Sequence, residues 1–171
     1  MGMLKTAART KLLDQPRLDA LFGCLNQVMP AVKEAHMYAT CAALRIGPRA
    51  ADGTFPVEYA VAGHPPIVRI DAETGGVEYF SDEQFPLGLL PAAEYCSSKF
   101  CCRTGDLLAV TTDGVLEVEN DQNVEFGFER LEALLREGRE EELLELASRI
   151  LQKVNAFGQQ NDDQTLLLIR L

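Results

Sequence analysis

The sequence predicts an α+β fold, and three observations predict it. A segment near the amino terminus carries apolar residues at helical spacing, the middle of the chain alternates strand-like runs with turn residues, and two more helical stretches precede a last strand. With 171 residues, 47% of them apolar and 8 prolines, the chain is long enough for a single domain with a core and too apolar for disorder.

From Pro16 to about Lys33, Leu18, Leu21, Phe22, Leu25, Val28, Met29 and Val32 recur at helical spacing, with Asp14 placed as a cap and Pro16 in the first turn. Pro30 is expected to end or kink that helix. The run "MYATCAALRI" from Met37 to Ile46 is strand-like, and "GPRAADGTFP" turns the chain into "VEYAVAG", where Val57, Tyr59 and Val61 alternate. A hairpin around Thr74 to Gly76 follows, then a loop at "PLGLLP". Two further strands are expected between Tyr95 and Val110, separated by a turn at Thr104 to Asp106. Phe128, Leu131, Leu134 and Leu135 suit a short helix, and Leu143 to Phe157 a longer amphipathic one, with "REGREEE" as a solvated linker and helix start. "LLAVTT" and the final "QTLLLIRL" lack alternation, so both strands are expected to be buried on two faces.

Sixteen basic against 26 acidic residues give a net charge of −10, which opposes binding to nucleic acid or to an anionic membrane, and no basic cluster offsets it. No apolar run approaches the roughly 20 residues that span a bilayer, and "MGMLKTAARTKLLD" is amphipathic rather than a signal peptide, so a cytoplasmic protein is expected. Five cysteines at irregular spacing make no disulfide framework; Cys24, Cys41, Cys96, Cys101 and Cys102 read as small core residues. A zinc site joining Cys101 and Cys102 to His36 or His64 lacks the usual ligand spacing.

The chemistry concentrates in two acidic stops, "AVTTDGVLEVEN" and "NDDQTLLLIRL". If the strands they bound are antiparallel neighbours, Asp113 ends one where Asp162 and Asp163 precede the other, and the carboxylates converge at one sheet end. Like charges so placed favour a cation among them, and oxygen ligands without Cys or His suit magnesium or manganese. Gly114 is expected to take a positive φ that swings the chain away after Asp113. His64, in "AGHPP", also stands at a strand end and is a candidate for the same edge. Singly, Asp-Gly is a common turn, Asp-Asp a common polar boundary and a lone His a surface or packed residue.

The order of the pieces says more. "YAVAGHPP", "PLGLL", "GDLLAVTTDGVLEVEN", "FGFERLEALL" and "NDDQTLLLIRL" in succession resemble the stage II sporulation protein E and sigma-factor-regulating serine phosphatases of the metal-dependent (type 2C) protein phosphatase family, over a match from about Met3 to the last residue. The resemblance implies two antiparallel sheets packed face to face, flanked by helices on both sides. It also implies two divalent metals, Mn2+ or Mg2+, with ligands at Asp113 and Asp162, Asp163 as a weaker neighbour, Gly114 as turn support and His64 as a catalytic candidate. Phosphoserine or phosphothreonine would then be hydrolysed by water activated at the metals. The implied substrate is a phosphorylated regulatory protein of the anti-sigma-factor antagonist type.

Two departures qualify this. The family's Asn-Ala-Gly-His stands here as Val61-Ala62-Gly63-His64, and the first acidic motif, expected just before the first helix, is absent. Residues 1–171 are therefore expected to be the carboxy-terminal portion of a single phosphatase domain that lacks the first strands and is inactive by itself. The alternative is a non-catalytic, phosphatase-like interaction module. A sheet edge uncovered by the missing strands is expected to favour a homodimer.

Overall fold

The computed structural model describes residues 2–32 and 37–171 of the chain. In chain order the elements are helices α1 (Gly2–Leu12) and α2 (Leu18–Val32), then strands β1 (Cys41–Ile46), β2 (Phe55–Ala62), β3 (Ile67–Ile70), β4 (Val77–Phe80), β5 (Ser98–Cys102) and β6 (Leu107–Thr111). Helices α3 (Asp113–Leu116), α4 (Gly127–Glu137) and α5 (Leu143–Phe157) and strand β7 (Leu166–Arg170) complete it. The α+β class with two antiparallel sheets is as expected. Residues group into two units: one holds the chain up to Ala50 with Phe55–His64 and Ser81–Cys101, the other Ala51–Thr54, Pro65–Phe80 and Cys102–Leu171.

The first unit carries a sheet of order β1-β2-β5 with β1 antiparallel to β2, Cys41 opposite Ala62 and Ile46 opposite Val57. Leu18, Leu21, Phe22, Leu25 and Met29 form the stripe of α2 that packs on Ala60 and Ala62 of β2 and on Leu87. Small residues on the strand let the helix approach, and each large side chain so buried contributes about 1.5–3 kcal/mol. The helix start differs from the expectation. Asp14 does not cap it but pairs with Lys11 at 3.4 Å, and the Leu18 N–H instead donates to Glu58 Oε1 of β2 at 3.0 Å. Glu58 is buried, and it also accepts from the Ser97 hydroxyl at 2.9 Å and the Arg45 guanidinium at 3.0 Å. A carboxylate 40 residues away has taken the place of a local cap. Pro30 does not end α2 either: it lies inside the last turn, where it removes one intrahelical bond, and the helix continues to Val32. Lys33 and His36 lie outside the described residues.

In the second unit the sheet order is β4-β3-β6-β7, all antiparallel. Val68, Ile70, Leu107 and Ala109 meet Leu131 and Leu135 of α4 and Leu146, Ile150 and Val154 of α5 in one core. Glu142, the last residue of the acidic linker, caps α5 by accepting from the Leu144 and Glu145 N–H groups. Strand β6 is buried on both faces as expected at Leu107, Leu108 and Ala109. Strand β7 is not. Leu166 and Leu168 join the helix-covered core, but Leu167 between them faces the other way and is 51% exposed. The cysteine reading also needs correction: all five are free thiols, but only Cys102 is buried, while Cys96 and Cys101 are exposed.

Burial acts to raise the Glu58 pKa, but the Leu18 N–H, the Ser97 hydroxyl and the Arg45 charge outweigh it and hold the carboxyl below its ordinary value. A lowered folded-state pKa stabilises above the unfolded carboxyl's value and loses that stabilisation as pH falls through the folded one. We expect Glu58→Gln to lower stability by about 1.5–3 kcal/mol at neutral pH in urea denaturation, with the two proteins converging in acid. Equal midpoints at neutral pH would contradict this account of the α2 start.

Candidate metal centre

The pairing of β6 with β7 brings the acidic stops together. The ladder ends with Thr111 opposite Leu166, and the two chains stay joined one step further. The Thr112 N–H donates to the Thr165 carbonyl at 3.1 Å, the Thr165 N–H donates to the Thr112 hydroxyl at 2.9 Å, and that hydroxyl donates to the Asp163 carbonyl at 3.2 Å. Thr112 has extended backbone (φ −74°, ψ 160°) at the start of α3, yet its side chain makes no capping bond, because it is spent on the other segment. The antiparallel neighbours assumed from the sequence are present, and Asp113 lies beside the Asp162–Asp163 segment at one sheet end.

The role expected of Gly114 is corrected. Its φ is not positive; the chain turns away through α3, where the Glu117 N–H donates to the Asp113 carbonyl at 2.8 Å and Val115 and Leu116 are buried. What the position requires is absence of a side chain, since a Cβ there would stand 2.5 Å from the Asp163 carbonyl oxygen. Positive φ occurs instead at Gly63 (+61°), ahead of His64, where a Cβ would meet Pro86 Cγ at 2.3 Å. The Gly63 N–H donates to the Gln84 carbonyl at 2.9 Å. His64 is half-buried and belongs to the first unit, whereas Asp113, Asp162 and Asp163 belong to the second, so the contacts above do not include it.

Asp113, Asp162 and Asp163 are all exposed. Asp113 Oδ1 accepts from the Gly114 N–H at 2.9 Å and Asp162 Oδ1 from the Asp163 N–H at 2.6 Å, which orients one oxygen of each and leaves the other for a ligand. Among the described residues, no three His, Cys, Asp or Glu side chains come together to hold a metal ion. The donor set is oxygen alone, which fits a hard divalent cation in kind. Sequence reading missed three neighbours. Glu117, Glu119 and Glu125 line, with Gly114 and Asp162, a cavity of about 180 Å3 beside the Asp stops. Glu119 forms isolated backbone bridges to Glu125 and Gln159, which fold the acidic loop back onto the end of α5. The alternation of "LEVE" was the available signal, with Val118 buried and Glu117 and Glu119 exposed.

The Stage II sporulation protein E (SpoIIE) family model matches residues 1–171. The chain belongs to the SpoIIE family. No curated protein matches it. Among solved structures, this SpoIIE-family chain is similar to the SiaA-PP2C domain of Pseudomonas aeruginosa, with a TM-score of 0.76 and 18% identity over 98% of this chain and 67% of that one. The RsbU and RsbW domains of a Mycobacterium tuberculosis protein match with a TM-score of 0.80 and 21% identity, over 99% of this chain and 46% of that one. The phosphatase domain of the cell fate determinant SpoIIE from Bacillus subtilis, presoaked with manganese, matches with a TM-score of 0.65 and 16% identity, over 98% and 73% of the two chains. At these identities the likeness is one of fold: the family chain has the type 2C phosphatase fold.

A methyl at Gly114 should act with the opposite sign to one in an ordinary helix. In an ordinary helical position Gly→Ala stabilises by up to about 1 kcal/mol. Gly114→Ala should instead destabilise by about 1–3 kcal/mol, because the methyl must displace the backbone at Asp163. Urea denaturation reads the difference, and a stabilised variant would show that the two segments are not held in close approach.

Proposed function

We propose that residues 1–171 are the carboxy-terminal portion of a cytoplasmic, metal-dependent serine/threonine phosphatase domain acting in sigma-factor regulation. Its substrate is a phosphorylated regulatory protein of the anti-sigma-factor antagonist type. The observation that carries the reading is the meeting of Asp113 with the Asp162–Asp163 segment at one end of β6 and β7, in a chain of the SpoIIE family. In the proposal Asp113 and Asp162 hold the cation, with Asp163 a weaker neighbour and Gly114 allowing the two segments to approach. Mn2+ or Mg2+ bound there supplies Lewis-acid chemistry, lowering the pKa of water and offsetting phosphoryl charge. The surrounding carboxylates, Glu117, Glu119 and Glu125 included, repel a phosphomonoester dianion when no cation is present. That repulsion is itself a reason for metal dependence.

A second reading is a non-catalytic phosphatase-like module. It is favoured by Val61 where the family has Asn and by the lack of a three-ligand cluster among the described residues. Each missing carboxylate contact weakens binding by about 1.5–3 kcal/mol, roughly ten- to 150-fold. Residues 1–171 alone should therefore bind manganese weakly in calorimetry and hydrolyse a chromogenic phosphate ester at background rate. A chain extended upstream should show manganese-dependent turnover, reduced roughly 100-fold or more by Asp113→Ala. Equal robust turnover by both lengths would overturn the partial-site proposal, and no turnover by the longer chain would favour the module.

A homodimer through an exposed sheet edge remains part of the proposal. Strands β1 and β7 are both terminal in their sheets, and Leu167 of β7 is half exposed. Light scattering over a concentration series should show association that Leu167→Lys weakens; a monomer at all concentrations would refute it.

A further inference from the structure

We propose that the groove between α4 and α5 is a docking site for an acidic amphipathic helix of a partner protein, a role independent of the phosphatase reading. The groove has a volume of about 670 Å3, and the two helices supply its walls. On α5, Arg149, Lys153 and Phe157 recur every four residues and so share one face; on α4, Ala133 and Leu134 lie three and four residues after Arg130 and share a face with it. Exposed Ala133 and Ala156 leave room where longer side chains would close the groove, and Phe126, Leu134 and Phe157 provide apolar surface within it. Helix α4 has 11 residues, about 16 Å of axis, which matches three turns of a partner helix. An apolar stripe set between two helices is the surface that helix-in-groove recognition uses.

Charge selects the occupant. The protein carries a net charge of −10, yet this groove presents Arg130, Arg149 and Lys153 against Glu137 alone. The Arg149 charge is answered by Glu137 at 3.5 Å and Glu141 at 3.1 Å. Arg130 and Lys153 form no ion pair among the described residues. The Arg130 guanidinium lies 4.7 Å from the Phe157 ring centroid and donates to the carbonyls of Glu125 and Phe126, so it is held in place while its charge stays uncompensated. Two fixed or available cations beside apolar surface fit a helix with Leu on one face and Glu at its border. The groove also adjoins the acidic cavity along the chain, since Glu125 lines the cavity and its carbonyl holds Arg130.

The test uses a fluorescent, lactam-stapled 16-residue peptide with a Leu stripe bordered by Glu, and a charge-swapped peptide with Lys in place of Glu. Fluorescence anisotropy should show saturable binding of the acidic peptide, with the swapped peptide weaker by at least about tenfold, and binding should weaken as salt rises. Amide resonance shifts should map to α4 and α5. Lys153→Glu and Ala156→Trp, both at exposed positions, should each cut affinity by roughly tenfold with unchanged circular dichroism. No binding at millimolar peptide, equal binding of both peptides, or affinity untouched by Lys153→Glu would overturn the proposal. So would self-association, or binding to phosphatidylglycerol vesicles, that Lys153→Glu abolishes, for these would assign the groove to a second copy or to a lipid surface.

Discussion

The hydroxyl of Thr112 does what neither strand does alone. The paired register of β6 and β7 ends at Thr111 and Leu166, and one further backbone bond, from the Thr112 N–H to the Thr165 carbonyl, reaches toward the aspartates. By donating to the Asp163 carbonyl and accepting from the Thr165 N–H, Thr112 extends the pairing across the point where one chain enters α3 and the other emerges from its acidic loop. Gly114 then allows van der Waals approach that any Cβ would forbid. The segments that carry the exposed Asp113 and Asp162 are thereby held together by backbone and side-chain hydrogen bonds and by the burial of Val115 and Leu116 in α3.

The convergence of these aspartates was legible in the sequence because it depends only on strand direction: apolar runs ending in Asp and beginning after Asp-Asp meet at one end if they pair antiparallel. Helices α2, α4 and α5 were legible for a similar reason, their apolar spacing being a property of neighbouring residues. The features that escaped depend on distant partners. Nothing local to Leu18 announces that Glu58 will satisfy its N–H, and Asp14 looked the better cap because it is near. Backbone freedom is the common reason for a glycine after Asp, but the operative constraint at Gly114 is the position of a carbonyl 49 residues further on. Leu167 escaped because a uniform apolar run does not reveal that one of its two faces is uncovered.

The charge distribution gives the second unit two chemically different surfaces in sequence proximity. Glu117, Glu119 and Glu125 line a cavity with Asp162, and cations of α4 and α5 lie among apolar side chains, with Glu125 and Phe126 at the join. A uniform excess of acid would have given neither. The pairing of β6 with β7 accounts for the meeting of the acidic stops; the basic groove needs an explanation of its own.

Asp113 and Asp162, from two segments, are proposed to act on one cation. Paramagnetic broadening of amide resonances by manganese tests it without relying on turnover. Substoichiometric Mn2+ should broaden the amides of Gly114 and Asp163 together, and either Asp113→Asn or Asp162→Asn should relieve the broadening at both. Broadening at only one of the two segments, or relief confined to the mutated one, would contradict a shared site.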